Sequence, residues 1–147
     1  ELGEGEATEL AAMPTDEDEY MELARRKTGA LFRAAAELGA IAADADPYTV
    51  EKLGEYAERV GVAFQIRDDV LDETADAEEL GKPTGIDEAM ERPSVVQVTE
   101  LSASEATERA EAESAAALDA LAAVDADDTE AGQYLRDLAR FVVVRER

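Results

Sequence analysis

The sequence predicts an all-α protein, a set of antiparallel helices around a shared core. Apolar residues recur at i, i+3, i+4 and i+7 over most of the 147 residues. Helix-start signals stand in front of those runs: Asp46-Pro47, Ser102 with Glu105, and Thr129. The one strand-like run, Phe141-Val142-Val143-Val144, is too short and isolated to build a sheet. No internal repeat or linker breaks the chain, so residues 1–147 read as a single helical domain.

Composition narrows the chemistry. Thirty-seven acidic residues against 14 basic ones leave a formal charge of −23. That balance repels nucleic acid and anionic membrane surfaces, which removes both as partners. It does not signal disorder, because 46% of the residues are apolar and periodic. An acidic, Ala-rich folded chain fits a halophile, where screened surface charge keeps a protein in solution, better than it fits a merely acidic protein. Cysteine and histidine are both absent, so neither thiolates nor imidazoles can act as metal ligands or general bases. Chemistry must run on carboxylates, lysines, arginines, amides, hydroxyls or a bound metal. No run approaches 18 apolar residues and no signal peptide is visible, which leads to the expectation of a soluble, cytoplasmic protein.

In chain order, Glu6 to Leu10 could close an incoming helix, and the acidic run Asp16 to Glu19 suits a solvated helix start. A long helix is expected from about Glu17 to Ala43, with Tyr20, Leu23, Leu31, Phe32, Leu38 and Ile41 on a wide apolar surface. Gly29 and Gly39 interrupt it at up to about 1 kcal/mol each, which calls for close approach of another helix or a ligand. A second helix should start at Asp46-Pro47 and end near Glu73, followed by a short one capped by Asp76 with Glu79. Beyond the Gly/Pro-rich loop Gly81-Lys82-Pro83-Thr84-Gly85-Ile86-Asp87 come helices at about 94–101, from Ser102 to about Val124, and from Thr129 to the end.

One stretch stands apart: Phe64-Gln65-Ile66-Arg67-Asp68-Asp69-Val70-Leu71-Asp72. On a helix Gln65, Asp68, Asp69 and Asp72 fall at i, i+3, i+4 and i+7 and share one narrow face, with Val60, Ala63, Phe64, Val70 and Leu71 around the rest. An exposed acidic face is the bland alternative in so acidic a chain. The flanking apolarity argues against it, since like charges at i, i+4 repel even in water and far more when desolvated. A hard divalent cation such as Mg²⁺, which takes oxygen ligands and bridges carboxylates to phosphates, answers that repulsion. Two of only three lysines, Lys27 and Lys82, lie in further motifs. Lys27-Thr28-Gly29 alone could be a snorkelling surface lysine with its neighbours. The glycine loop with Lys82, and Arg92 beyond it, could be an ordinary charged loop or a flap offering two cations to a diphosphate.

Taken together these motifs resemble the C-terminal half of a trans-isoprenyl diphosphate synthase, a member of the polyprenyl synthetase family. Phe64-Gln65-x-x-Asp68-Asp69-x-x-Asp72 is similar to that family's second aspartate-rich motif, Lys27-Thr28 to its Lys-Thr pair, and Gly81-Lys82-Pro83-x-Gly85-x-Asp87 to the next loop of the family. The arginine-rich C-terminal end is also similar, so the resemblance covers nearly the whole chain. It implies an antiparallel helical bundle of the isoprenoid synthase type, here lacking the N-terminal helices. It further implies a Mg²⁺-dependent condensation of an allylic diphosphate with isopentenyl diphosphate. Under that resemblance Asp68, Asp69 and Asp72 hold Mg²⁺, and Lys27, Lys82 and Arg92 bind the substrate diphosphate. Lys27, Thr28 and Gln65 carry the catalytic roles, the last two beside the developing allylic cation. Departures exist. Glu91-Arg92-Pro93-Ser94 stands where Gly-Lys-x-Thr is usual, and Gly5-Glu6-Ala7-Thr8-Glu9 replaces the glutamine of Gly-Gln-x-x-Asp. A first aspartate-rich motif is missing, as no second Asp-Asp-x-x-Asp occurs. The expectation is therefore a half-site without condensing activity by itself, its full-length form a homodimer or heteromer. The rivals are a non-catalytic or truncated partner subunit of a full-length synthase and a plain acidic interaction module.

Overall fold

The computed structural model of the chain describes residues 16–78, 103–124 and 129–145, with 73–78 described at the backbone. Five α-helices and one π turn make up the described residues: α1 (Glu17–Ala24), the π turn (Arg25–Gly29), α2 (Ala30–Ala42), α3 (Pro47–Glu78), α4 (Ala103–Ala122) and α5 (Glu130–Val144). No strand occurs among them, and Phe141 to Val144 is helical. None of the helices among the described residues is long and apolar enough to cross a membrane.

Local chemistry sets the boundaries. Asp16 accepts from the Glu19 amide at 2.8 Å and Thr129 from the Gly132 amide at 2.9 Å, each satisfying an N-terminal donor of its helix. Asp46 does the same for Thr49 at 2.8 Å, with Pro47 as the first residue of α3. α2 ends in a Schellman motif: Ala45 N–H donates to Ala40 O and Asp44 N–H to Ile41 O, both at 3.0 Å. Asp44 takes the left-handed conformation this requires, at φ 60°, where a short polar side chain is tolerated. α3 does not stop near Glu73. It runs through Asp76 to Glu78, so the expected cap at Asp76 is an interior helical position. Residues 1–15 and 79–102, with the expected helix end at Leu10, the glycine loop, the helix at 94–101 and the Ser102 cap, lie outside the described residues.

α3 is the axis of the molecule: α1, the π turn, α2, α4 and α5 all pack on it. Val60, Ala63, Ile66 and Val70 of α3 are buried against Tyr20 and Ala24 of α1, Ala106, Ala110, Ala117 and Leu121 of α4, and Ala139, Val142 and Val143 of α5. The alanine stripe lets α4 approach α3 closely, and polar ties fix the layers around it. Arg59 donates to the buried Glu113 at 2.9 Å, Ser114 to Ala139 O at 2.6 Å, and Tyr56 to Leu135 O at 2.7 Å. Arg33 grips Glu37, Glu51 and Glu58 at 2.6–2.7 Å, joining α2 to α3.

The expected apolar surface of the first helix is corrected by the π turn. A π turn takes up one residue more than an α turn, so every residue after it is rotated by about 100° against an uninterrupted helix. Leu31 and Leu38 would otherwise continue the buried face of Tyr20. Instead Phe32 and Ala36 pack on the core, while Leu31, Leu38 and Ile41 are 55%, 68% and 59% exposed. Tyr134, Phe141 and Val144 form a second exposed stripe on α5. The two glycines of the first helix also part company. Gly29 lies against α3, where a Cβ would meet Glu58 Cγ at 3.2 Å and the Glu58 carbonyl at 3.3 Å, whereas Gly39 has nothing within 4 Å. Close approach explains Gly29 and not Gly39. The counterpart of Gly29 is Gly61, whose Cβ would stand 3.0 Å from Phe32 Cγ and 3.2 Å from Gly29 Cα.

Two substitutions exploit this difference. Gly61→Ala should destabilise the fold by about 1–3 kcal/mol, because neither the Gly29 backbone nor packed Phe32 can retreat. Gly39→Ala should stabilise it by about 0.5–1 kcal/mol, since an exposed helical position only gains propensity. Urea unfolding midpoints of the two variants moving in opposite directions is the expected result; a neutral Gly61→Ala would refute the tight crossing.

Candidate metal and diphosphate site

Three separate segments meet beside the aspartate stripe. Asp68, Asp69 and Asp72 each offer a carboxylate oxygen, and these oxygens all lie within 4.8 Å of one another. One turn back on the same face, Gln65 donates from Nε2 to Asp69 Oδ1 at 3.2 Å. The Gly29–Gly61 crossing presses the π turn against α3, and Thr28 donates to Gln65 Oε1 at 2.8 Å. From α1, Tyr20 donates its hydroxyl to Asp69 Oδ2. A chain of donors thus runs from Thr28 through Gln65 to Asp69, with Tyr20 closing it from the other side.

The carboxylates differ in environment. Asp69 is 9% exposed, at the border of the core, while the Asp68 side chain is 43% exposed. Burial pushes Asp69 up to about 7, and the charges of Asp68 and Asp72 add to the rise; the bonds from Tyr20 and Gln65 pull the other way without cancelling it. The Tyr20 hydroxyl is raised as well, first by burial and then by the Asp69 charge, so it remains a donor at any ordinary pH. An oxygen-only donor set at this spacing suits a hard divalent cation, and among the described residues this is the acidic group able to hold one.

Arg145, directly after α5, reaches the same place from the end of the chain. Its guanidinium lies 4.3 Å over the Phe64 ring and donates from Nη2 to Phe64 O at 3.4 Å and Asp68 Oδ1 at 3.5 Å. Arg67 Nε donates to the Arg145 carbonyl at 3.2 Å.

Of the residues selected by sequence, Asp68, Asp69, Asp72, Gln65 and Thr28 are brought together here. Lys27 is half-buried in the adjoining π turn, and Lys82 and Arg92 lie outside the described residues. Helical spacing does not single out Tyr20 or Arg145. Tyr20 falls on the apolar stripe of α1, and nothing in its spacing shows a hydroxyl aimed at a carboxylate 49 residues away. The arginine-rich terminus is a visible signal for Arg145, but not for its contact with Asp68.

The chain as a whole is similar to known proteins. The family profile described as Polyprenyl synthetase matches residues 1–132. The "Short chain isoprenyl diphosphate synthase" of Methanocaldococcus jannaschii is 47% identical over 90 residues, covering 59% of this chain and 27% of that protein. The "Farnesyl diphosphate synthase" of Escherichia coli is 34% identical over 148 aligned residues, covering 97% of this chain and 48% of that protein. Among solved structures, the geranylgeranyl pyrophosphate synthetase of Pyrococcus horikoshii superposes with a TM-score of 0.81 at 30% identity, over 99% of this chain and 55% of that one. The decaprenyl diphosphate synthase of Rhodobacter capsulatus gives 0.79 at 30% identity, over 99% and 56%. The chain therefore spans about half the length of these proteins or less. Matched over most of its length and sharing their all-helical fold, the chain belongs to the polyprenyl synthetase family.

Proposed function

We propose that this chain is the C-terminal half of a prenyltransferase bundle. In this reading it supplies one metal- and diphosphate-binding jaw for the condensation of an allylic diphosphate with isopentenyl diphosphate. The observation that carries the reading is the set of three carboxylates within 4.8 Å, beside the 2.8 Å Thr28–Gln65 pair. Family membership and the names of the relatives support the reaction class. The acidic composition supports a salt-adapted source.

Asp68, Asp69 and Asp72 would hold Mg²⁺. When bound, the metal would supply positive charge to offset the negative charge that grows on the diphosphate as the allylic carbon–oxygen bond breaks with its electron pair. Lys27, Lys82 and Arg92 act on the same charge from the side of the diphosphate oxygens. Thr28 and Gln65, paired at 2.8 Å, would lie beside the allylic carbon as it becomes cationic. Attack by the double bond of isopentenyl diphosphate forms the new carbon–carbon bond, and the proton then lost passes to an oxygen of the departed diphosphate. Tyr20 orients Asp69 and favours its ionised form.

In this half-site reading the chain binds but does not condense. Calorimetry with a non-hydrolysable allylic diphosphate should show Mg²⁺-dependent binding, abolished in Asp68→Asn and Asp72→Asn, while the chain alone forms no product from dimethylallyl and isopentenyl diphosphates. Product formation would overturn the half-site assignment, and binding indifferent to Mg²⁺ would overturn the metal assignment. A chain that binds and, mixed with a full-length synthase, co-purifies with it would favour the partner-subunit alternative.

The protonation of Asp69 makes a separate prediction. Its folded value, about 7, lies above the ordinary 3.8, so between those limits the fold retains a proton that the unfolded chain has lost. Metal-free stability should fall as pH rises through that window. Mg²⁺ must displace the same proton, so its affinity should climb toward about pH 7 and then level off. Calorimetry in two buffers of different ionisation heat reads the released proton directly. Tyr20→Phe removes a bond to the charged form, and should weaken Mg²⁺ binding several-fold at neutral pH with recovery at higher pH. A deficit that pH does not repair would mean that Tyr20 serves packing alone.

A further inference from the structure

Arg145 differs from Arg33, the half-buried arginine of α2, in how its guanidinium is held. Arg33 is held by three carboxylates at 2.6–2.7 Å, a closed and fully engaged arrangement. The Arg145 side chain is only 12% exposed, yet its hydrogen bonds to Asp68 and to the Phe64 carbonyl are long, 3.5 and 3.4 Å. Its Nε is buried and has no hydrogen-bond partner among the described residues. A guanidinium removed from water needs a carboxylate, and a buried donor left unmatched is costly. The anchors of this one are independent of Asp68. The ring of Phe64 lies beneath it at 4.3 Å, the Arg145 amide donates to Phe141 O at 3.0 Å, and Arg67 holds its carbonyl at 3.2 Å. The cation is thus anchored from below and from behind, and touches the aspartates only loosely in front.

We propose that Arg145 is a positioning residue for this site: an internal cation that neutralises Asp68 in the metal-free chain and yields it when a divalent cation enters. The inference rests on the metal-binding reading of Asp68, Asp69 and Asp72. Three carboxylates within 4.8 Å repel one another, and a positive charge beside one of them reduces that repulsion before metal arrives. The same charge repels the incoming cation, so Arg145 sets a threshold for metal binding. Because its anchors are separate from Asp68, the guanidinium stays in place while the carboxylate turns away.

The test uses MgCl₂ alone as the probe, with the full chain and its Arg145→Met and Arg145→Lys variants in calorimetry at low salt. Loss of the charge in Arg145→Met should tighten Mg²⁺ binding about tenfold, and Arg145→Lys, which keeps the charge, should stay within about twofold of the parent. Weaker or unchanged binding in Arg145→Met overturns the proposal while leaving the metal site standing. Failure of all three chains, the parent included, to bind Mg²⁺ overturns both. If Arg145→Met does not fold, the parent chain still decides the matter. The Arg145 Nε–H resonance should move as Mg²⁺ is titrated in, and a signal that stays put while the aspartate resonances shift overturns the proposal.

Discussion

The carboxylate of Asp69 sits where α3 is otherwise core. Its neighbours along the helix, Ile66 and Val70, are 0% and 3% exposed, so the charge cannot rely on water. Much else answers that single demand. Tyr20 must come from α1 and Gln65 from the preceding turn to supply donors. α1 and the π turn must lie close enough to reach, which is why Gly29 and Gly61 meet with no side chain between them. The stability of the helix crossing and the readiness of the site are consequently one property. Even with both donors in place, burial holds the Asp69 carboxyl well above its ordinary range, up to about 7.

The polar ties of the molecule fall into two kinds. Arg33 with its three glutamates, Arg59 with Glu113, and Ser114 with the Ala139 carbonyl are short and complete, and they join helices whose relative positions need not change. Contacts around the aspartates are of another sort: a bridging amide, a half-exposed Asp68 and an arginine at long range. Within the site itself, Tyr20 holds Asp69 closely while Asp68 is met only at long range.

Much of the site is legible in the sequence because its heart is local. Residues 65, 68, 69 and 72 share a face by helical geometry alone, and their apolar neighbours set that face apart from an ordinary acidic surface. Thr28 enters only through a resemblance to known proteins, since no periodicity brings residue 28 to residue 65. Spacing puts Tyr20 correctly on the buried side of its helix, but apolar spacing cannot distinguish a hydroxyl that packs from one that donates. The cap at Asp46 and the helix starts near Glu17 and Thr129 are readable for the reason that helix entry is also local. Asp76 misleads as a helix start because an aspartate three residues before a glutamate looks the same inside a helix. The outward turn of Leu31 and Leu38 has no signature, because a π turn is selected by tertiary packing and not by the residues Arg25 to Gly29 taken alone.

That π turn amounts to one surplus residue kept inside a helix. Remove any one residue between 25 and 29 and the segment could relax to an unbroken α-helix. Leu31 and Leu38, each one position earlier on that unbroken helix, would keep the outward face they have, because the deletion and the π turn shift the later residues by the same one position. What such a shortened chain would lose is the bulge itself, the widened turn from which Thr28 reaches Gln65. The surplus residue, more than any single side chain in the turn, is what lets a hydroxyl meet Gln65 while the helices on either side keep their own packing.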